Sequence, residues 1–249
     1  IFKSLKNASF SNIDFEITIE EDLEIDTVDY YGFIANIVDT CSFNNSTIKI
    51  INKGDNTISH KINLMSMGLA FGRSVDTSIN NVVLDTTDLA GNIILNNKTT
   101  GSISSNIAKL NIGGFVGESI RTTGNGINIV ANTGNNKKIV VSDTINTEIN
   151  IGSLFGSTSG STIENINVEQ LNKQDINNII VVYSNASANT SASINYGGMI
   201  GNMNNSQLST VYVGGNIEFG STTVSENYSA NIGGAVGRAI NSNLQDINV

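Results

Sequence analysis

Apolar residues in this chain come in pairs two positions apart, set among runs of Asn, Ser, Thr and Gly, and the pairs return every few tens of residues. A short glycine-flanked apolar block precedes each pair. It reads Asn111-Ile112-Gly113-Gly114-Phe115-Val116-Gly117, and returns as Asn150-Ile151-Gly152-Ser153-Leu154-Phe155-Gly156, Asn195-Tyr196-Gly197-Gly198-Met199-Ile200-Gly201 and Asn231-Ile232-Gly233-Gly234-Ala235-Val236-Gly237. Looser copies are Ser66-Met67-Gly68-Leu69-Ala70-Phe71-Gly72 and Tyr31-Gly32-Phe33-Ile34-Ala35. With the last residue of each as a marker, Ala35, Gly72, Gly117, Gly156, Gly201 and Gly237 follow one another at intervals of 37, 45, 39, 45 and 36 residues. Such self-similarity predicts a solenoid, in which each repeat buries its apolar face only against its neighbours.

Spacing after the marker is stricter than the intervals. Ile79, Ile163, Leu208 and Leu244 stand seven residues on, and Val82, Ile127, Ile166, Val211 and Ile247 stand ten on. Two further on are Leu84, Ile129, Val168, Val213 and Val249, so the period is that of a strand. Phe10, Ile13 and Phe15 fit the same template, as the tail of a repeat whose block is missing. Two copies depart from it: Gly124 replaces an apolar residue, and the first copy reads as displaced to Ile48 and Ile50 by a loop insertion. Variation in length falls before the next block, where Ile93-Ile94-Leu95, Ile139-Val140-Val141 and Ile179-Ile180-Val181-Val182-Tyr183 read as further strands.

The fold expected is all-β, a parallel β-helix (β-solenoid) of about six coils with 36–45 residues per repeat. Residues 1–249 form one domain on this reading, and both ends fall inside the repeat, as in a fragment of a longer chain. With strands about 4.8 Å apart, six coils make a rod on the order of 30 Å long. Matching offsets stack into an aliphatic ladder through Val82, Ile127, Ile166, Val211 and Ile247, and a polar one through Asn12, Asn81, Asn165, Thr210 and Asp246 whose amides satisfy one another. Block glycines mark either a corner with φ above zero or a close backbone approach. Proline is absent, as uninterrupted ladders require.

The blocks, with Ile163-Glu164-Asn165-Ile166 as the best second half, resemble the GLUG motif, a repeat of the form Gly-Gly-Leu-Val-Gly followed by a polar turn and a strand containing Ile-x-Asn. The resemblance covers roughly half of each repeat. It implies a β-solenoid stalk in large surface or secreted bacterial proteins of adhesin type, and it implies no chemistry.

Composition narrows the function classes. Net charge −9 and pI near 4.5 argue against nucleic acid or an anionic membrane, which need clustered Lys and Arg. The lone Cys41 allows no internal disulfide and reads as a buried thiol. His60, the one histidine, lies on a polar stretch and has no evident partner. Arg73 and Arg238 follow marker glycines, yet Asn36, Glu118, Ser157 and Asn202 hold the equivalent positions, so no face gathers both signs as a polysaccharide lyase or hydrolase would need. Glu16, Glu20, Glu21, Asp22, Glu24, Asp26 and Asp29 read as a solvated acidic loop. Tyr183, Tyr196, Tyr212 and Tyr228 sit at different offsets, and no Trp is present to stack on sugars. Eight Asn-x-Ser/Thr sequons match the number that 39 Asn and 49 Ser plus Thr produce by chance.

No catalytic, cofactor-binding or metal-binding residue is assigned, and no cofactor is expected. The expected function is a non-enzymatic structural or adhesive segment of a long extracellular or cell-surface protein, a rigid stalk and contact surface for proteins or glycans. A carbohydrate-active β-helix enzyme is the alternative by analogy of architecture, and a self-associating filament subunit, joined end to end or laterally, is a further one.

Overall fold

Every strand pairing joins residues one repeat apart, and among the described residues every pairing is parallel. The structure is a computed structural model and describes residues 2–25, 29–60, 65–97, 109–131, 139–142, 148–170, 181–185, 193–213, 219–221 and 229–249. No helix occurs among them. Four sheets are visited in rotation. The first holds Phe2–Lys6, Ala35–Asp39, Phe71–Val75, Val116–Ile120, Phe155–Ser159, Ile200–Asn204 and Val236–Ile240. A second contains Ser42–Asn52, Ser78–Leu89, Thr162–Gln170, Gln207–Val213 and Asn243–Asn248. The third includes Asn56–His60, Ile93–Asn97, Ile139–Ser142 and Val181–Asn185, and the fourth Ser66–Gly68, Lys109–Gly113, Glu148–Gly152, Ser193–Gly197 and Ser229–Gly233. This all-β arrangement of stacked parallel sheets is compatible with a parallel β-helix. Of the strands expected from Ile179 to Tyr183, the first two residues lie outside the described residues.

Two corners in each repeat carry the geometry. Asn7, Thr40, Asp76, Arg121, Gly160, Asn205 and Asn241, four residues after the marker, all have φ between 46° and 60°. Asn12, Asn45, Asn81, Gly126, Asn165, Thr210 and Asp246, nine after it, have φ between 48° and 67°. L-residues avoid this left-handed region, and Asn, Asp and Gly tolerate it best. The expected polar ladder is therefore first a column of left-handed turns. Amide bonds along it are secondary: Asn81 Nδ2 donates to Asn45 Oδ1 at 3.2 Å, while Asn165 Nδ2 donates sideways to Asn125 Oδ1 at 2.9 Å.

Register corrects the first copy. Phe71 pairs with Ala35, so the marker there is Asn36, and Phe43, Ser46 and Ile48 stand opposite Ile79, Val82 and Leu84. No loop is inserted. Ser46 simply takes the place of an aliphatic residue, donating to Asn44 O at 2.9 Å and accepting from Ile13 N at 3.3 Å. The aliphatic ladder stacks as expected: Ile166 pairs with Val211 and Val211 with Ile247, and Val82, Ile127, Ile166 and Val211 are buried. Gly124 is filled around by its neighbours, since a Cβ there would meet the Ile127 and Ile163 δ-carbons at 3.0 and 3.1 Å. Phe10, Phe43, Phe71 and Phe115 continue the core as a column of rings 4.7–5.8 Å apart.

Close approach explains the marker glycines. Their φ values are not left-handed; a methyl group on Gly117 would lie 2.6 Å from Met67 N, and one on Gly237 2.6 Å from Tyr196 N. Backbone of the first sheet thus packs directly on backbone of the fourth. In the narrow space beside it runs a buried amide ladder: Asn150 Nδ2 donates to Asn111 Oδ1 at 2.8 Å, Asn195 Nδ2 to Asn150 Oδ1 at 2.7 Å, and Asn231 Nδ2 to Asn195 Oδ1 at 2.7 Å. Each buried Ile or Leu stabilises by about 1.5–3 kcal/mol, against about 0.5–1.5 kcal/mol net for each hydrogen bond. The aliphatic columns therefore drive stacking, and the amides fix its register, because a slipped Asn would be buried unpaired.

Gly117→Ala should destabilise by roughly 3 kcal/mol or more through overpacking, whereas Gly54→Ala, with nothing within 4 Å of the added carbon, should leave thermal unfolding unchanged. Equal melting temperatures for the two variants would refute the close-approach account. Thr210 is β-branched at φ 53°, so Thr210→Asn should stabilise by about 1 kcal/mol; a lower unfolding midpoint in urea would contradict this.

Candidate functional site

A concave feature follows the first corner, where the chain passes from the first sheet to the second. It is a groove of about 520 Å³, lined by residues including Asn7, Ser9, Ser42, Asp76, Ser78 and Arg121. Thr77 and Cys41, which line it, belong to a column of mostly hydroxyl side chains that follows the left-handed residue and continues beyond the groove through Ser161, Ser206 and Ser242. Thr77, Ser161, Ser206 and Ser242 each donate to the carbonyl two residues back, at 2.8–3.3 Å. Their oxygens also accept a backbone N–H from the preceding repeat, as Ser161 does from Thr122 N at 3.1 Å and Ser206 from Ser161 N at 3.1 Å. Cys41 occupies the same column and copies the pattern, its buried thiol donating to Asp39 O at 3.4 Å. These hydroxyls are committed to the backbone, with no base beside them in these contacts to turn one into a nucleophile.

One charged pair crosses the groove. Arg121 Nε and Nη2 donate to the two carboxylate oxygens of Asp76, each at 2.7 Å, and hold the Asp76 carboxyl below its usual range. Lys6 does the same to Asp39, aided by the Thr40 hydroxyl, and Lys53 to Glu20. Asp76 and Glu20 are exposed and Asp39 is half-buried, open enough to solvent that ion pairing contributes little.

A second cluster lies on the first sheet and corrects the sequence reading. Arg73 pairs with Glu118 on the adjacent strand, Nε to Oε2 at 2.9 Å, so both signs do meet on one face. Arg73 also donates to the Tyr30 hydroxyl at 3.1 Å, and its guanidinium lies 5.0 Å from the Tyr30 ring centre. Burial pushes the Tyr30 phenol up, Arg73 pulling the other way. With its cation spent on a carboxylate and a ring, this cluster ties three repeats together. The residue equivalent to Arg73 in the first copy is Ile37 and not Asn36, again because the marker moves by one.

The acidic stretch is spread by the fold. Glu20 pairs with Lys53, Asp22 accepts the Thr57 N–H at 2.7 Å, and Asp29 O accepts from Met65 N at 2.7 Å. Asp26 lies outside the described residues. Glu16, Glu20 and Glu21 border a cavity of about 460 Å³ that also takes in Leu23, Tyr31 and Phe33. No group of three metal-ligating side chains occurs among the described residues. Tyr196 is buried in the core and Tyr212 is half exposed; Tyr228, the Tyr183 and His60 side chains and the 132–138 loop lie outside what is described. Ser153 Oγ, Thr158 Oγ1 and Asn202 Oδ1 are buried without a partner, but they belong to three different columns.

Compared with protein-family models, curated proteins and solved structures, the chain matches none.

The depressed carboxyls of Asp39, Asp76 and Glu20 set a sign for acid sensitivity. Their pairing contributes above the ordinary carboxylate pKa and is lost as pH falls through the lower folded-state value. Stability should hold from neutral pH down to the carboxylate range and then decline, and Asp76→Asn should flatten that decline slightly. Urea titrations of both proteins at neutral and acid pH check this, a decline that begins above neutrality being the contrary result.

Proposed function

We propose that the chain is a parallel β-helix of about six coils, 36–45 residues per repeat, acting as one non-enzymatic structural and adhesive segment of a long surface or secreted protein. The GLUG-like blocks belong to this reading, and so do an extracellular location and contact with proteins or glycans. The observation that carries it is the repetition of one backbone path, seven left-handed residues at each of two corners, with loop length varying elsewhere. Selection on such a path keeps a column of stated cross-section and leaves its loops free. Further support comes from the hydroxyl column to which Thr77 of the groove belongs, whose donors and acceptors are consumed in holding repeats together. Arg73, which meets a carboxylate on the first sheet, is likewise taken up by Glu118 and Tyr30.

Small-angle scattering should give an elongated particle, and an antibody against this segment should label intact cells that carry the full polypeptide. A panel of acidic polysaccharides, with and without calcium, should be left uncleaved. Turnover that a single Asp replacement abolishes would overturn the proposal in favour of a carbohydrate-active enzyme, and labelling only after cell lysis would overturn the location.

A further inference from the structure

The chain contains a single Asn-Gly dipeptide, Asn125-Gly126, and it falls on the second corner. Asn before Gly is the sequence most open to cyclisation, because glycine offers no side chain to hinder attack by its own nitrogen, and Asn is a thermolabile residue in general. Gly126 is the glycine of the left-handed column, with φ 67°. Around it the next repeat closes in. Gly126 N–H donates to Glu164 O at 3.2 Å, Asn125 Nδ2 donates to Glu164 Oε1 at 3.4 Å, and Asn165 Nδ2 donates to Asn125 Oδ1 at 2.9 Å. Asn125 itself ends the strand Thr123–Asn125, paired on both sides with Asn80 and Glu164.

We infer that Asn125 is a modification site for hydrolytic deamidation, held unreactive by the rung above it and released when that corner opens. In the reaction Gly126 N gives up its proton and attacks Asn125 Cγ, a C–N bond forms, and the carboxamide nitrogen leaves as ammonia. One water then opens the cyclic imide to aspartate or isoaspartate. In the folded corner the nucleophile is engaged with Glu164 O and the electrophile is pinned by Asn165, so the rate follows the population of the open form. The product changes the stack. A new carboxylate at position 125 faces the Glu164 carboxylate across the rung, and isoaspartate lengthens the backbone by one carbon and breaks the register there.

The test is peptide mapping by mass spectrometry after incubation at mildly alkaline pH, on the folded chain, the chain in denaturant, and Asn165→Gly, which keeps the left-handed turn. Conversion at Asn125 should be at least about tenfold slower folded than unfolded, as expected when reaction requires opening, and several-fold faster in Asn165→Gly than in the native chain. Equal rates folded and unfolded would overturn the inference, as would an unreactive Asn125 in denaturant or an unaltered rate in a folded Asn165→Gly. Glu164→Gln serves as the second variant: converted native protein should melt lower than unconverted, and the loss should shrink in Glu164→Gln. An equal loss in both would remove the charge-repulsion step.

Discussion

Parallel pairing between residues one repeat apart is the constraint on which the rest of the molecule depends. Once Phe71 lies over Ala35 and under Val116, every later position inherits a partner of the same offset, and each must take nearly the same backbone angles as the one beneath it. That is why fourteen left-handed residues fall into two columns, and why their side chains are limited to types that endure such angles or sit there at a cost. Thr40 and Thr210 are of the costly kind. Stacking supplies the apolar burial that outweighs them.

The same constraint decides which polar groups are buried and how. Asn111, Asn150 and Asn195 are enclosed where first-sheet and fourth-sheet backbones approach too closely for anything larger than hydrogen at Gly156, Gly201 and Gly237, leaving a slot that an amide fills. The hydroxyl column solves a neighbouring problem: a corner leaves an N–H without a backbone carbonyl, and one Ser or Thr of the next repeat accepts it while giving a second hydrogen bond to a carbonyl that already takes a backbone N–H. Ser46 shows the two corners to be interchangeable in this respect, since it uses at the second corner the bonding that Ser161 uses at the first. Cys41 shows that a weaker donor suffices.

Much of this was legible in the residues. Offsets of seven, ten and twelve after the marker picked out side chains that the fold buries in the inner repeats, Ile79, Val82, Leu84, Ile163, Leu208 and Val213 among them, while Leu244 and Val249 of the last repeat are exposed, and Ile93 and Ile139 do pair in the third sheet as further strands. What could not be read was anything that depends on neighbours in the stack. The marker Asn36 looked like an outsider because it is not glycine, and only the pairing of Gly32 with Gly68 restores it. The bulge between Asp85 and Asp88 left no period to detect, and the Arg73–Glu118 pair joins residues 45 apart whose meeting requires knowing which strands adjoin. For the candidate site the sequence offered types without partners. The fold gives those types partners, mostly among backbone groups.

The direction of the ladder bonds has a mechanical consequence. They run from each repeat to the next, along the stacking direction, while the covalent chain winds across it. Tension applied at the two ends therefore pulls on one outermost row of bonds at a time and peels the column turn by turn, instead of shearing all rows together. A column bonded in this way is stiff against bending yet yields stepwise to stretching.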